Sequence, residues 1–295
     1  MDIKAIVMGL AFALMWSSAF SSARMIVADA PPLMALSLRF LVSGVIGIAI
    51  ATALGQSWRL SRGQWRATVL FGICQNALYL GLNFVAMQKI EAGLASIIAS
   101  SLPLMVAFAG WLFLGERTRP LGLAGLAAGM VGVLLIMGAR LSGGVDPGGL
   151  LLCLLGAAAL TVATLTVRGA SSGGNLLMVV GLQMLVGALC LGVVSALIET
   201  PDITWSRRLV LAFAYTTLVP GLIATLVWFM LVDRIGSLRA STFHFLNPFL
   251  GVAIAALLLG ESLGWVDVIG VVIITAGILA VQLSKAQRVE ARPRA

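Results

Sequence analysis

Residues 94–116 read LASIIASSLPLMVAFAGWLFLGE, and residues 239–261 read RASTFHFLNPFLGVAIAALLLGE. Each stretch is apolar and long enough to cross a bilayer as a helix, which takes about 20 residues. Each carries a proline near its middle, Pro103 and Pro248, and each closes on Leu-Gly-Glu. Proline lacks an N–H and crowds the carbonyl four residues earlier, so a helix interior disfavours it. The offset is constant: 248 − 103, 260 − 115 and 261 − 116 all equal 145. A costly residue at the same point of two segments marks a duplicated device.

The same offset holds elsewhere. Phe84 pairs with Phe229, Ile90 with Ile235, Ala95 with Ala240, Gly125 with Gly270 and Gly132 with Gly277. Ten apolar spans can be placed between polar breaks, at roughly 3–23, 33–54, 66–87, 92–114, 120–138, 148–169, 176–198, 208–231, 237–259 and 265–283. The expected fold class is therefore an all-α integral membrane protein with ten transmembrane helices in two five-helix repeats. Its expected domains are a first repeat over 1–141, a linker at 142–147, a second repeat over 148–284 and a tail at 285–295. Five is odd, so the second repeat enters the membrane from the opposite side, as in inverted-repeat carriers.

Composition agrees. Of the 295 residues, 60% are hydrophobic and only 10% charged, against about 25% charged in soluble domains. The mean hydropathy is +1.08. The formal charge of +8 lies at span ends without interleaved aromatics, so it reads as cytoplasmic flanks facing anionic lipid and not as a nucleic-acid surface. With the N-terminus inside, thirteen Lys and Arg fall in cytoplasmic segments and five in outer ones, namely Arg24, Lys89, Arg140, Arg207 and Arg208. Both termini are predicted cytoplasmic. The opening apolar run ends in a signal-peptide-like "ADA" at 28–30 but serves as the first span of a repeat, so it is read as retained. Cys74, Cys153 and Cys190 lie in apolar stretches with neither metal nor disulfide spacing and read as packing residues.

Polar groups at bilayer depth need a partner or a cavity. The third span holds Asn76, Tyr79 and Asn83 on one helical stripe, read as a wall that hydrogen-bonds a solute or as interhelical glue. The first span holds "WSSAFSS" at 16–22, with Trp16 and Phe20 on one face and Ser17 beside them. Thr161 and Thr164 lie near the repeat counterparts of that stretch, and the eighth span offers Tyr215, Trp228 and a Pro220-Gly221 break. Trp228 is the offset partner of Asn83. Pro103 and Pro248 are expected hinges, freeing the carbonyls of Ala99 and His244, with Ser100 and Ser241 at hand to satisfy them. His244 is the lone histidine. The candidate substrate cavity is thus Trp16, Ser17, Phe20, Asn76, Tyr79, Asn83, Ser100, Thr161, Thr164, Tyr215, Trp228, Ser241 and His244. Arg39 has two readings, a receiver for a solute carboxylate or a cap on neighbouring backbone, the structural one being favoured. Glu116 and Glu261 are expected to bond backbone or Arg. Gly122, Gly125, Gly129 and Gly132 form a close-packing stripe.

No Asp or Glu sits deep in a span, so facilitated or weakly proton-coupled transport is expected. An intramembrane protease would need a buried Asp pair or clustered His, and a Ser–His hydrolase an orienting carboxylate at depth; the chain supplies neither. A channel would not need the inverted duplication. No catalytic residue, metal or cofactor is expected.

With "WSSAF", "LRF" at 38–40, the paired prolines and "LGE" at 114–116 and 259–261, the chain resembles EamA-type members of the drug/metabolite transporter superfamily, and among them looks similar to the YddG-like exporters of aromatic and other amino acids. The resemblance implies a bacterial inner-membrane exporter of small metabolites that works by alternating access. Its expected partners are a small amphipathic solute, most of all an amino acid, and the lipid bilayer, with no nucleic acid and function as a monomer. A drug exporter of the same fold is the alternative.

Overall fold

The computed structural model describes residues 3–115, 120–166, 173–235, 240, 242–262 and 264–290. Ser241 and Glu116 lie outside the described residues. All regular structure among them is helical. The elements are α1 Ile3–Val27, α2 Pro32–Ala53, α3 Arg62–Phe71, a π-helical stretch Gly72–Leu80, α4 Gly81–Ala86, α5 Ala92–Ser100, α6 Leu102–Leu114, α7 Pro120–Ser142, α8 Pro147–Thr166 and α9 Leu176–Ile198. They continue with α10 Arg207–Leu218, a π turn Val219–Ile223, α11 Ala224–Ile235, a 3₁₀ turn Thr242–Leu246, α12 Asn247–Leu259 and α13 Trp265–Glu290. Nine helices among the described residues are long and apolar enough to span a bilayer, and Phe243–Leu259 is a shorter apolar helix. The protein is an all-α, multi-pass membrane protein.

Local chemistry fixes the element ends. Ser61 and Gln64 form a reciprocal capping box at the start of α3, which satisfies two N–H groups that a helix N-terminus leaves orphaned. Gly115 and Gly260 stop α6 and α12 in the left-handed region, at φ 62° and 67°, a conformation that any side chain disfavours. These stops are 145 residues apart, as the paired "LGE" motifs require.

The chain forms two compact units. The first holds residues 1–21, 91–147 and 224–295; the second holds 22–90 and 148–223. Each draws on both sequence halves. Within each, helices equivalent by the repeat pack against one another. In the first unit α7 crosses α13: a Cβ on Gly125 would lie 2.8 Å from the carbonyl oxygen of Gly277, and one on Gly132 would lie 3.0 Å from that of Gly270. Gly277 is the repeat equivalent of Gly132, and Gly270 of Gly125. Facing residues step backward along α13, from Gly277 to Gly270, as they step forward along α7, from Gly125 to Gly132, so the two helices run antiparallel. In the second unit Ser37 Oγ donates to the Ala188 carbonyl at 2.8 Å, and a Cβ on Gly44 would lie 3.0 Å from the Gly181 carbonyl. α2 and α9 are therefore antiparallel as well. Odd-numbered repeats demand this inversion. The glycines let the inverted helices approach closely, because helices in lipid associate by close backbone packing and not by hydrophobic exclusion.

Carboxylates tie the ends of these helices. Glu261 accepts from the N–H groups of Ala92 and Gly93 at 2.7 and 2.8 Å, capping α5 in keeping with the backbone role expected of it. Glu199 does the same for Leu33 and Met34 on α2, at 2.9 and 2.8 Å. An anion at a helix N-terminus meets both orphaned donors and a favourable dipole. Arg140 bridges Glu91 at 2.8 Å and Asp267 at 2.7 Å.

Candidate functional site

The prolines differ from expectation in one respect. Neither lies inside a continuous helix. α5 stops at Ser100, and α6 begins at Leu102 with Pro103 in its first turn. There its missing N–H costs nothing, because the opening N–H groups of a helix have no internal partner. The Ser101 N–H bonds the Ile97 and Ile98 carbonyls at 3.2 and 3.1 Å, while Ser100 Oγ donates to Ser96 O at 2.7 Å and Ser101 Oγ to Ile98 O at 2.6 Å. Pro248 likewise sits in the first turn of α12, after the 3₁₀ turn. The device is a break and restart.

That break presents His244. In the first unit, its ring lies edge-on to Phe12 at 5.2 Å, Trp16 at 6.3 Å and Trp228 at 5.0 Å between centroids. Phe12 touches both indoles, at 5.8 Å to Trp16 and 4.7 Å to Trp228. Asn247 Nδ2 and His244 Nδ1 are 3.0 Å apart. An amide nitrogen can only donate, so Nδ1 accepts and the imidazole proton sits on Nε2. Ser17 Oγ reaches the backbone oxygen and Oδ1 of Asn247, each at 3.5 Å. Trp228 also packs against a buried apolar cluster of Ala5, Leu231, Ala240 and Phe243. Asn247 and Ser17 are buried, whereas Trp16, Trp228 and His244 are half-buried. The result is a neutral site with aromatic faces, an imidazole N–H and an amide held in place from behind. Among the described residues no three His, Cys, Asp or Glu side chains come together as a metal site. Phe20 is buried in the same unit.

Ser100 also lies in the first unit, whereas the second holds Asn76, Tyr79, Asn83, Thr161, Thr164 and Tyr215. Asn76 is buried and donates to the Gln183 carbonyl at 2.9 Å. Asn83 donates to Tyr79 O at 2.7 Å and accepts from Cys153 Sγ at 3.3 Å. Thr161 and Thr164 donate to the carbonyls of Ala157 and Leu160 in their own helix, at 2.8 and 2.7 Å. Tyr215 is exposed. In this conformation the asparagine stripe ties helices together. Arg39 Nε donates to Thr216 O at 3.2 Å. That carbonyl stands four residues before Pro220, which has no N–H to offer it. Ser43 Oγ donates to the next carbonyl, Thr217 O, at 3.4 Å.

Sequence reasoning missed Phe12, Asn247 and the π stretch at Gly72–Leu80. Asn247 had a signal: it is a polar residue beside a mid-span proline, and its offset counterpart is Leu102. The π turn Val219–Ile223 falls, by the same offset, on 74–78 inside the first π stretch. Pro220-Gly221 announces it in one half, whereas Gln75-Asn76 does not in the other. Paired π distortions are another duplicated irregularity, of a kind frequent at functional sites.

Residues 3–138 and 147–283 each match the EamA-like transporter family. The chain belongs to that family. It is a transporter of the drug/metabolite type and not an enzyme, and the two matches follow the two halves of the repeat. It is 26% identical to "Uncharacterized transporter YvbV" of Bacillus subtilis, over 94% of this chain and 92% of that one. It is 29% identical to "Uncharacterized inner membrane transporter YedA" of Escherichia coli, over 94% and 90%. It is 25% identical to "Protein PecM" of Dickeya dadantii, over 89% and 86%. A solved crystal structure shares its fold, with a TM-score of 0.69 and 22% identity over 96% of this chain and 98% of that one.

Proposed function

We propose that this transporter exports small amphipathic metabolites, above all amino acids with aromatic or neutral side chains, across the bacterial inner membrane. The observation that carries this reading is the site formed by Phe12, Trp16, Trp228, His244 and Asn247. Its rings offer planar apolar faces, while Nε2–H of His244 and the indole N–H groups offer donors without a fixed charge. Such a site suits a solute that is apolar on one side and polar on the other. The relative named as an inner membrane transporter supports the location.

The mechanism we infer is alternating access, facilitated or weakly proton-coupled, in a functional monomer with both termini cytoplasmic. The breaks before Pro103 and Pro248 act as the two hinges. Each concentrates backbone change in the few residues between two rigid helices, as hinges do. Counterflow of labelled phenylalanine in proteoliposomes tests the reading: saturable uptake accelerated by internal unlabelled phenylalanine is expected, and it falls at least tenfold in Trp16→Ala and His244→Ala. Flux no greater than in empty liposomes sinks it.

A further inference from the structure

Two charged side chains are buried among the described residues, Arg39 and Asp267. Asp267 faces a cation, Arg140. Arg39 faces no carboxylate among the described residues. It is 7% exposed and stands in the third turn of the apolar helix α2. Its Nε is committed to the Thr216 carbonyl, and its guanidinium lies 5.2 Å from the ring centroid of Phe40. Neither Nη group has a hydrogen-bond partner among the described residues.

The backbone cap does not account for this arrangement. Satisfying one carbonyl takes one neutral donor, and Ser43 does that for the adjacent Thr217 carbonyl without any charge. A guanidinium brings a full charge and four further N–H donors into a place where an unpaired cation is costly. The Nε bond fixes the plane of the fork and leaves the Nη pair presented in the geometry that matches two oxygens of a carboxylate. Beside that pair lies Gly221. A Cβ added there would sit 3.2 Å from the Thr216 carbonyl oxygen, 3.3 Å from Ser43 Oγ and 3.6 Å from Nη2 of Arg39, so the glycine lets the turn pack closely against the groups that hold the fork. The π turn that carries Gly221 thus borders the charge directly.

We propose that Arg39 is the anion-recognising group of this transporter, and that the solute it takes carries a carboxylate. The proposal deepens the substrate class named above. Its test does not depend on that class.

Purified protein is heated with increasing phenylacetate or phenylacetamide, in the wild type and in Arg39→Lys, Arg39→Gln and Gly221→Ala, and the unfolding midpoint is read. Phenylacetate is expected to stabilise the wild type at a concentration at least tenfold lower than its amide. Arg39→Gln, which keeps a donor for the Thr216 carbonyl, loses that preference; Arg39→Lys keeps part of it. Gly221→Ala, which leaves Arg39 in place, weakens the preference and so carries the proposal even where Arg39→Gln does not fold. Equal response of the wild type to acid and amide overturns the proposal, as does an undiminished acid preference in folded Arg39→Gln. Absence of phenylalanine counterflow alongside a persisting acid preference overturns the amino-acid reading and leaves the carboxylate site standing.

Discussion

Residues 92–114 and 242–259 share one backbone plan and use it differently. In both, a short helical piece stops, a new helix starts with proline in its first turn, and a left-handed glycine ends it. In the first segment the residues beside the break are Ala99 and Leu102, and serine hydroxyls close the broken turn. In the second they are His244, whose ring faces an aromatic cluster, and Asn247, which bonds that ring. Duplication preserved the conformational device and left the chemistry free to diverge. This is what an asymmetric solute requires of a structurally symmetric carrier.

Making the segments more alike is the most direct way to break this comparison. Gly251 occupies the position of Val106, and a Cβ there would run into Ser96 Oγ and lie 2.6 Å from Ser96 Cβ. Gly251→Val is expected to cost about 3 kcal/mol through overpacking, seen as a large drop in unfolding midpoint; a near-normal midpoint would mean that α5 and α12 do not need close approach. Asn247→Leu copies Leu102 into the second segment. It frees His244 Nδ1 from its partner, and phenylalanine counterflow should fall at least tenfold with the protein still folded. Glu261→Ala removes the acceptor from two N–H groups of α5, at a cost of about 1–2 kcal/mol in thermal stability; Glu199→Ala should match it on α2. The smallest effects test the shared part of the plan. Gly115→Ala and Gly260→Ala should each cost about 1 kcal/mol from left-handed strain, equally at both sites, because neither glycine has a neighbour that a Cβ would meet. Unequal costs would show that the two stops are not the same device.

The helices, their duplication and the paired stops were legible because each rests on local physics: hydropathy over about 20 residues, proline's missing N–H, glycine's freedom at positive φ. Trp16, Ser17, Trp228 and His244 were legible as candidates for the same reason, since polar or aromatic groups at depth stand out one by one. Which of them meet was not legible. Asn76 and Asn83 looked like the better cavity wall, yet their amides hold Gln183, Tyr79 and Cys153. Nothing in their spacing along one helix says where the carbonyl of another helix will lie.

The sequence by itself therefore determined a membrane protein of two equivalent halves, and with it the inversion, because an odd number of spans leaves no other way to enter the bilayer. Only the tertiary structure decided that Pro103 and Pro248 start helices and do not kink them, that Glu261 caps a helix 168 residues before it, and that Arg39 is buried against the Thr216 carbonyl. Those outcomes depend on which backbone groups two distant segments bring within about 3 Å, the reach of a hydrogen bond. That distance is set by how helices from the two sequence halves pack, which the pattern of either helix alone does not specify.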